Sequence, residues 1–252
     1  MKSRIPALIA GLALGGALLL STVGVVAAVT PPTGPAGNGV CATQATAMKT
    51  GATVETLRAF GDCEINRRFT TLDTLSAKIT ASKVLTTSDA AALKGEIAST
   101  KTGLTSLKAT IDSETSLPAL RVDISKIAAD YRVYLLVAPQ ANLVSAADGV
   151  LAAQTRFADV NTKLAARIAM AKAAGKDTTA AQTALEAMNA AVTSAVGLAG
   201  PLPAKLLPLT PAQYNAGTAG PILTSARTAL GQARDQIKAA IASAKACRDA
   251  LK

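Results

Sequence analysis

The sequence predicts an all-α fold, an elongated antiparallel helical bundle with coiled-coil-like hairpins and about six helices after an N-terminal signal segment. Half of the residues are hydrophobic but only 2% are aromatic, and alanine makes up about a fifth of the chain. Alanine has the highest helix propensity, and its small side chain lets helices approach closely. Apolar residues also recur at alternating spacings of three and four over several long windows, as they do on one face of a helix.

The first thirty residues predict export. Lys2 and Arg4 precede an uncharged, Leu/Ala/Gly/Val-rich run from Ile5 to Val29. A basic start, an apolar run and small residues such as Val26-Ala27-Ala28 are the parts of a secretory signal peptide, so we predict that residues 1–28 are cleaved. Because roughly 20 apolar residues can span a bilayer, an uncleaved anchor is the alternative. Either way, the rest of the chain lies outside the cytoplasm.

Residues 29–51 are predicted to be a Pro/Gly/Thr-rich spacer, and residues 52–252 the helical bundle. Residues 30–40 of this spacer read TPPTGPAGNGV, and their proline and glycine content disfavours both helix and packed strand. The remaining 200 or so residues are enough for one domain, or two at most.

Helix-end signals divide the bundle into its helices. Thr86 with Asp89 resembles a capping box, Pro118 fits the first turn of a helix, and Gly175 fits a C-cap. The predicted helices are 52–82, 87–113, 117–138, 140–174, 178–199 and 221–251. In the last of these, the apolar stripe consists of Leu230, Ala233, Ile237, Ala240, Ala244 and Leu251.

Tyr131, Tyr134 and Pro139 form the candidate binding site. Pro139 interrupts an otherwise continuous helical pattern, and it should kink or break that helix because proline lacks an N–H and clashes with the preceding turn. The two tyrosines lie about one turn before the proline, on the apolar seam. They could line a small apolar pocket with polar tips. Alternatively, they fill the gap that the kink leaves, which is the interpretation that we favour.

The segment from Gly200 to Gly220 is the one long stretch predicted to be non-helical. It contains four prolines among several leucines, and its only charged residue is Lys205. Loops of this length often bind a membrane or a partner. We favour the alternative, in which the leucines fold back as a lid over the end of the bundle.

Cys41, Cys63 and Cys247 are the three cysteines of the chain. In an oxidising compartment two of them should pair and one should be left over. Cys41 precedes the first helix and Cys247 lies near the end of the last. If these two helices pack antiparallel, their ends meet, so we predict a Cys41–Cys247 disulfide. Pairing of Cys63 with Cys247 remains the alternative.

The composition argues against catalysis and against a metal or cofactor. The chain has no histidine, which is the commonest general base and metal ligand. It has no CxxC pair for a structural zinc ion. Carboxylates are sparse, and Asp62 and Glu64 point to different faces of a helix, which does not suit a glycosidase pair. We therefore predict a non-enzymatic protein.

The net charge indicates which partners are plausible. It is +10, or +8 once Lys2 and Arg4 are removed with the signal peptide. Outside the cell, this charge suits anionic envelope polymers or a protein partner. So few aromatic residues provide no stacking platform for nucleic acid. Membrane contact is expected only through an uncleaved N-terminal segment or through the 200–220 loop.

Three segments carry a resemblance. They are Tyr131-Arg132-Val133-Tyr134 with its continuation to Pro139-Gln140, the stretch Leu209 to Asn215, and the stretch Leu57 to Arg68. Together they resemble a group of predicted exported, all-helical bacterial proteins. This resemblance implies export and a helical fold, and it carries no activity.

The sequence therefore predicts an extracytoplasmic, non-enzymatic structural or interaction protein of the bacterial cell envelope. The alternative is a secreted helical binding module that holds a small apolar ligand or a polypeptide near the Tyr131/Tyr134 kink.

Overall fold

Two groups of three helices make up most of the structure, a computed structural model that describes residues 39–252. The predicted signal segment, residues 1–28, lies outside the described residues. The described helices are α1 (Ala42–Thr50), α2 (Val54–Ala81), α3 (Thr87–Ser113), α4 (Leu117–Ala129), α5 (Ala138–Ala173), α6 (Thr179–Ala199), α7 (Leu202–Leu206), α8 (Pro211–Asn215) and α9 (Ala219–Asp249).

The segment from α4 to α5 connects the two groups. Helices α2, α3 and α4 pack on one another, and α5, α6 and α9 form the second group. A short π-helical turn, Val133–Val137, joins α4 to α5. With 36 residues, α5 is about 54 Å long at 1.5 Å per residue, and it also packs against α2. The all-α fold predicted from the sequence is confirmed for the described residues.

Each of the six predicted helices is present, and α3 has the predicted bounds. Three short helices among the described residues, α1, α7 and α8, were missed. The first, α1, lies inside the predicted spacer, so the non-helical part of the spacer is shorter than 29–51. No residue of α1 is buried, and its weak apolar pattern explains why periodicity did not reveal it.

The predicted caps of α3 and α5 are largely confirmed. The Thr86 hydroxyl accepts the Asp89 N–H at 3.1 Å, as in a capping box. In a complete capping box the Thr86 N–H would donate to the Asp89 side chain. Here it donates instead to Asp148 Oδ2 of α5, at 2.9 Å. Gly175 has a φ of 76°, and the Gly175 and Lys176 N–H groups close a Schellman motif after α5.

The predicted Cys41–Cys247 disulfide and its Cys63–Cys247 alternative are both wrong, because the structure pairs Cys41 with Cys63. Helix α1 folds back onto α2, which brings Cys41, just before α1, to the third turn of α2. Cys247 is free and fully buried. It continues a row of small residues spaced by seven along α9, which comprises Ala219, Ala226, Ala233, Ala240 and Cys247. Cys247 thus occupies an alanine position in a helix seam.

The segment between α6 and α9 is a lid, as we favoured from the sequence, although it is partly helical. Leu202, Leu206 and Leu209 are buried. Helix α7 packs on α5 and α9, so these leucines cover the end of the α5–α6–α9 group.

One stretch of the described residues, Leu117–Ala173, is apolar and long enough to cross a membrane by length and composition alone. Of its most apolar window, 61% is buried inside the bundle. This burial is what the core of a helical bundle requires.

Candidate functional site

The break between α4 and α5 lies at Arg132, seven residues before the predicted kink at Pro139. Arg132 has a φ of 43°, in the left-handed region that costs a non-glycine residue about 1–2 kcal/mol. Its carbonyl accepts the N–H groups of Leu135, Leu136 and Val137. The π-helical turn places Pro139 in the first turn of α5. The missing N–H costs little there, because N–H groups of the first turn have no partner within the helix. The prediction placed the break too late, because the chain relieves the proline clash upstream of it.

Tyr134 lies against two arginines of α2. The guanidinium carbons of Arg67 and Arg68 are 4.7 and 5.1 Å from its ring centroid. Both arginines donate to Glu64 Oε2, at 2.7 and 2.5 Å. The Tyr134 hydroxyl is buried and has no hydrogen-bond partner among residues 39–252. Cation–π contacts of this kind contribute about 0.5–2 kcal/mol each, so Tyr134 joins the α4–α5 junction to α2.

Tyr131 packs in a different direction, against α3. A Cβ atom at Gly103 would lie 2.5 Å from Tyr131 Cε1, so only glycine leaves room for the ring. Burial raises the pKa of the Tyr131 hydroxyl, and the neighbouring Asp130 carboxylate raises it further. Tyr131 therefore fills space between helices.

The third tyrosine of the chain, Tyr214 of α8, also lies at this junction. The Arg132 guanidinium is 5.4 Å from the Tyr214 ring centroid, and Arg132 Nε donates to Asn215 Oδ1 at 2.6 Å. Asn215 Nδ2 in turn donates to the Ala129 carbonyl at 2.9 Å. The junction is thus held by α8 as well as by α2 and α3.

The three segments that carry the sequence resemblance therefore meet in space at the α4–α5 junction. The residues that connect them were missed from the sequence, because Arg67, Arg68 and Asn215 lie 60 or more residues from their partners. Pro139 is buried, and the tyrosines have interior contacts. A ligand-binding role for Tyr131, Tyr134 and Pro139 stays a prediction.

Gln140, just after Pro139, connects the junction to the lid. Its side chain is 1% exposed, and Nε2 donates to the carbonyls of Leu206 and Leu207 at 2.8 and 3.0 Å. Because α7 ends at these residues, Gln140 satisfies carbonyl groups that a short helix leaves without partners.

Asp148 is a buried carboxylate further along α5. It is 1% exposed, and its Oδ1 atom has no hydrogen-bond partner in the described part of the chain. Burial raises the pKa of this carboxyl, the bond from the Thr86 N–H lowers it, and the nearby Asp89 carboxylate raises it, so that the net pKa lies above the usual range. Ionised Asp148 is therefore less favourable in the folded protein than in the unfolded chain.

The Asp148→Asn variant is expected to remove a pH dependence of stability. Since the folded protein holds the Asp148 proton more tightly, the contribution of this residue to the free energy of unfolding rises as pH falls through the folded pKa. Below the unfolded pKa the contribution is constant. In denaturant unfolding between pH 7 and pH 4, the free energy of unfolding of the wild type should increase relative to that of Asp148→Asn as the pH falls. The exposed Asp159→Asn change on the same helix is the control, and equal pH slopes for the two variants would refute the assignment.

A polar groove lies between α1 and α2, beside the disulfide. Its volume is about 500 Å³, and Gln44, Asp62, Asn66 and Arg67 are among its lining residues. Asp62 pairs with Lys108 of α3 at 2.5 Å. Gln44 Oε1 and Arg67 Nε are buried, and the described residues provide neither with a hydrogen-bond partner. The groove thus contains hydrogen-bond donors and acceptors and one charged side chain of each sign, so its net charge is small.

Within residues 39–252, no three His, Cys, Asp or Glu side chains are grouped as metal ligands.

Cations line one flank of α9. At 100° per residue, Arg227, Arg234, Lys238 and Lys245 fall within about 40° of the helix circumference and span about 27 Å. Lys238 pairs with Asp235 at 3.0 Å, and in the described part of the chain the other three have no carboxylate within 4.0 Å. We call these four residues the basic stripe. The opposite flank of α9 is uncharged and carries Ile222, Ser225, Ala229, Gln232, Gln236, Ala239 and Ser243.

The positive charge is also uneven along the chain. Residues 138–252 contain twelve Lys and Arg against six Asp and Glu, whereas residues 39–137 contain twelve against ten. Most of the excess therefore belongs to the α5–α6–α9 group, where the basic stripe lies.

The fold and these features define an all-helical bundle protein with one disulfide and a one-sided basic helix. No known protein family, curated protein or solved structure matches the chain.

Proposed function

We propose that the chain is an extracytoplasmic, non-enzymatic interaction protein of the bacterial cell envelope that binds anionic envelope polymers through the basic stripe of α9. The observation that carries the proposal is the segregation of the α9 cations to one flank.

The disulfide supports the compartment. Cys41 and Cys63 are bonded in the structure, and disulfides persist in oxidising environments outside the cytoplasm. The basic start and apolar run of residues 1–28 have the composition of a secretory signal. Export would place the bundle among the anionic polymers of the envelope.

The geometry of the stripe supports the class of partner. Cations in a row on a single rigid helix present charge along a line, which matches a linear polyanion better than a compact anion. Arg227, Arg234 and Lys245 have no carboxylate partner among the described residues, so an external anion does not have to displace one. Catalysis forms no part of the proposal, since the chain has no histidine.

Co-sedimentation with purified cell walls, before and after removal of their anionic polymer, tests the proposal. Wild-type protein should bind intact walls, lose most of its binding between low and physiological salt, and fail to bind stripped walls. The double variant Lys238→Gln/Lys245→Gln should bind intact walls at least tenfold more weakly at low salt.

The matched control is Lys78→Gln/Lys94→Gln, which removes two exposed helical lysines of α2 and α3 and lowers the net charge equally. We expect less than a twofold change for it. Equal losses for the two double variants would show that net charge alone drives binding, and binding to stripped walls would exclude the polymer as the partner. Either result contradicts the proposal.

A further inference from the structure

An apolar groove runs along the uncharged flank of α9. Its volume is about 410 Å³, and it is bordered by the end of α6, by α7 and by the first three turns of α9. Leu198, Leu202, Pro221, Ile222 and Ala229 supply most of its walls. Sites for small molecules commonly have volumes of about 300–1,000 Å³ and mostly apolar walls.

Lys205 of α7 is the one charged residue among those that line this groove. From residue 187 to residue 226 the chain carries no other charge. Lys205 is exposed, and among residues 39–252 no carboxylate lies within 4.0 Å of its ammonium group. The groove thus combines apolar walls with a single unpaired cation.

The start of α9 adds to the positive potential at the groove. Pro221 and Ile222 line it from the first turn of α9. The Thr218 side chain does not cap this turn, because its hydroxyl donates to the Gln213 carbonyl at 3.0 Å. The partial positive charge of the helix N-terminus is therefore not offset by a side-chain oxygen of Thr218.

We propose that this groove binds a long-chain carboxylate, with the alkyl chain along Leu198, Ile222 and Ala229 and the carboxylate at Lys205. One cation complements one negative charge, and the volume suits a single alkyl chain. A free fatty acid fits this combination better than a phospholipid, which has two chains and a larger head. The site lies on the flank of α9 opposite the basic stripe and is independent of polymer binding.

Isothermal titration with dodecanoate below its micellar concentration tests the site. The dissociation constant should fall about fourfold for each methylene added between octanoate and dodecanoate, because each buried methylene contributes about 0.8 kcal/mol. Lys205→Gln should weaken dodecanoate binding about fivefold, as expected for a solvent-exposed ion pair. The same variant should leave the binding of uncharged dodecanol unchanged.

Ser225→Trp tests the location. Ser225 is exposed and lines the groove, so an indole there should block both ligands without disturbing the core. Ser243→Trp, further along the same flank, is the matched control and should bind like wild type. Since the chain has no other tryptophan, fluorescence reports directly on each position.

Three results would overturn the proposal. They are equal binding of dodecanoate by wild type and Lys205→Gln, unchanged binding by Ser225→Trp, and the absence of a dependence on chain length. Flotation with phosphatidylglycerol vesicles tests whether the groove binds the alkyl chain of a membrane lipid instead of a free fatty acid. If vesicle binding is lost in Ser225→Trp while free dodecanoate does not bind, the occupant is a lipid and our assignment is wrong.

Discussion

Gln140→Glu is expected to lower the free energy of unfolding by about 4 kcal/mol at pH 7. The Gln140 amide nitrogen donates to two carbonyls from a site that is 1% exposed. A carboxylate there would face both carbonyl oxygens, so the folded protein must hold the acid protonated. Keeping a glutamate protonated at pH 7, when its ordinary pKa is about 4.3, costs about 3.7 kcal/mol at 1.36 kcal/mol per pH unit.

The pH dependence makes this prediction specific. The penalty should shrink as pH falls, because the unfolded chain also becomes protonated near pH 4.3, and most of it should vanish at pH 4. Denaturant unfolding followed by circular dichroism at pH 7 and pH 4 measures both values. Gln154→Glu, an exposed change on the same helix, should shift stability by less than about 0.5 kcal/mol. A loss at Gln140 that is independent of pH would show that the carboxylate escapes to solvent.

Ala233→Leu is expected to lower the free energy of unfolding by about 3 kcal/mol. Ala233 is fully buried in the middle of the row of small residues on α9, and α9 packs mainly on α6. Several buried residues of α6 are themselves alanines, among them Ala191 and Ala195. Three additional carbon atoms in such a thin seam must push the helices apart, and overpacking of this kind costs about 1–3 kcal/mol.

Ala239→Leu is the matched control, because Ala239 is exposed on the same helix. Alanine and leucine have similar helix propensities, so this change should be nearly neutral. Thermal and denaturant unfolding of the two variants provide the comparison. If Ala233→Leu were as stable as wild type, the α6–α9 seam would have more space than the structure shows.

The basic stripe and the apolar groove place two different chemistries on the two flanks of one helix. Arg227 and Lys245 lie on one flank, and Ile222 and Ser225 lie on the other. Each proposal therefore has variants that leave the opposite flank intact, and the two can fail separately.

Much of the fold could be predicted because it depends on local patterns. The spacing of Leu230, Ala233, Ile237 and Ala240 determines which face of α9 is buried wherever that helix packs. Gly175 ends α5 through its own backbone conformation. Helix α1 was missed because no apolar face marks it, and its place depends on the disulfide and on contact with α2.

The candidate site could be predicted only in part. The tyrosines stood out because aromatic residues are rare in this chain. Their partners are glycine and arginine residues on other helices, such as Gly103 and Arg67, and such residues carry no signal of their own in a sequence. The proline was noticed correctly, but the break lies at Arg132, because neighbouring helices decide where a strained turn is tolerated.

The sequence by itself determined that the chain is helical, where most helices begin and end, and which residues face the core. Each of these follows from interactions between residues a few positions apart. Only the tertiary structure decided the Cys41–Cys63 pairing, the convergence of three tyrosines at one junction, and the apolar groove that α6 and α7 form with one flank of α9. These features depend on which helix ends meet, and helix ends meet according to packing between residues far apart in the chain.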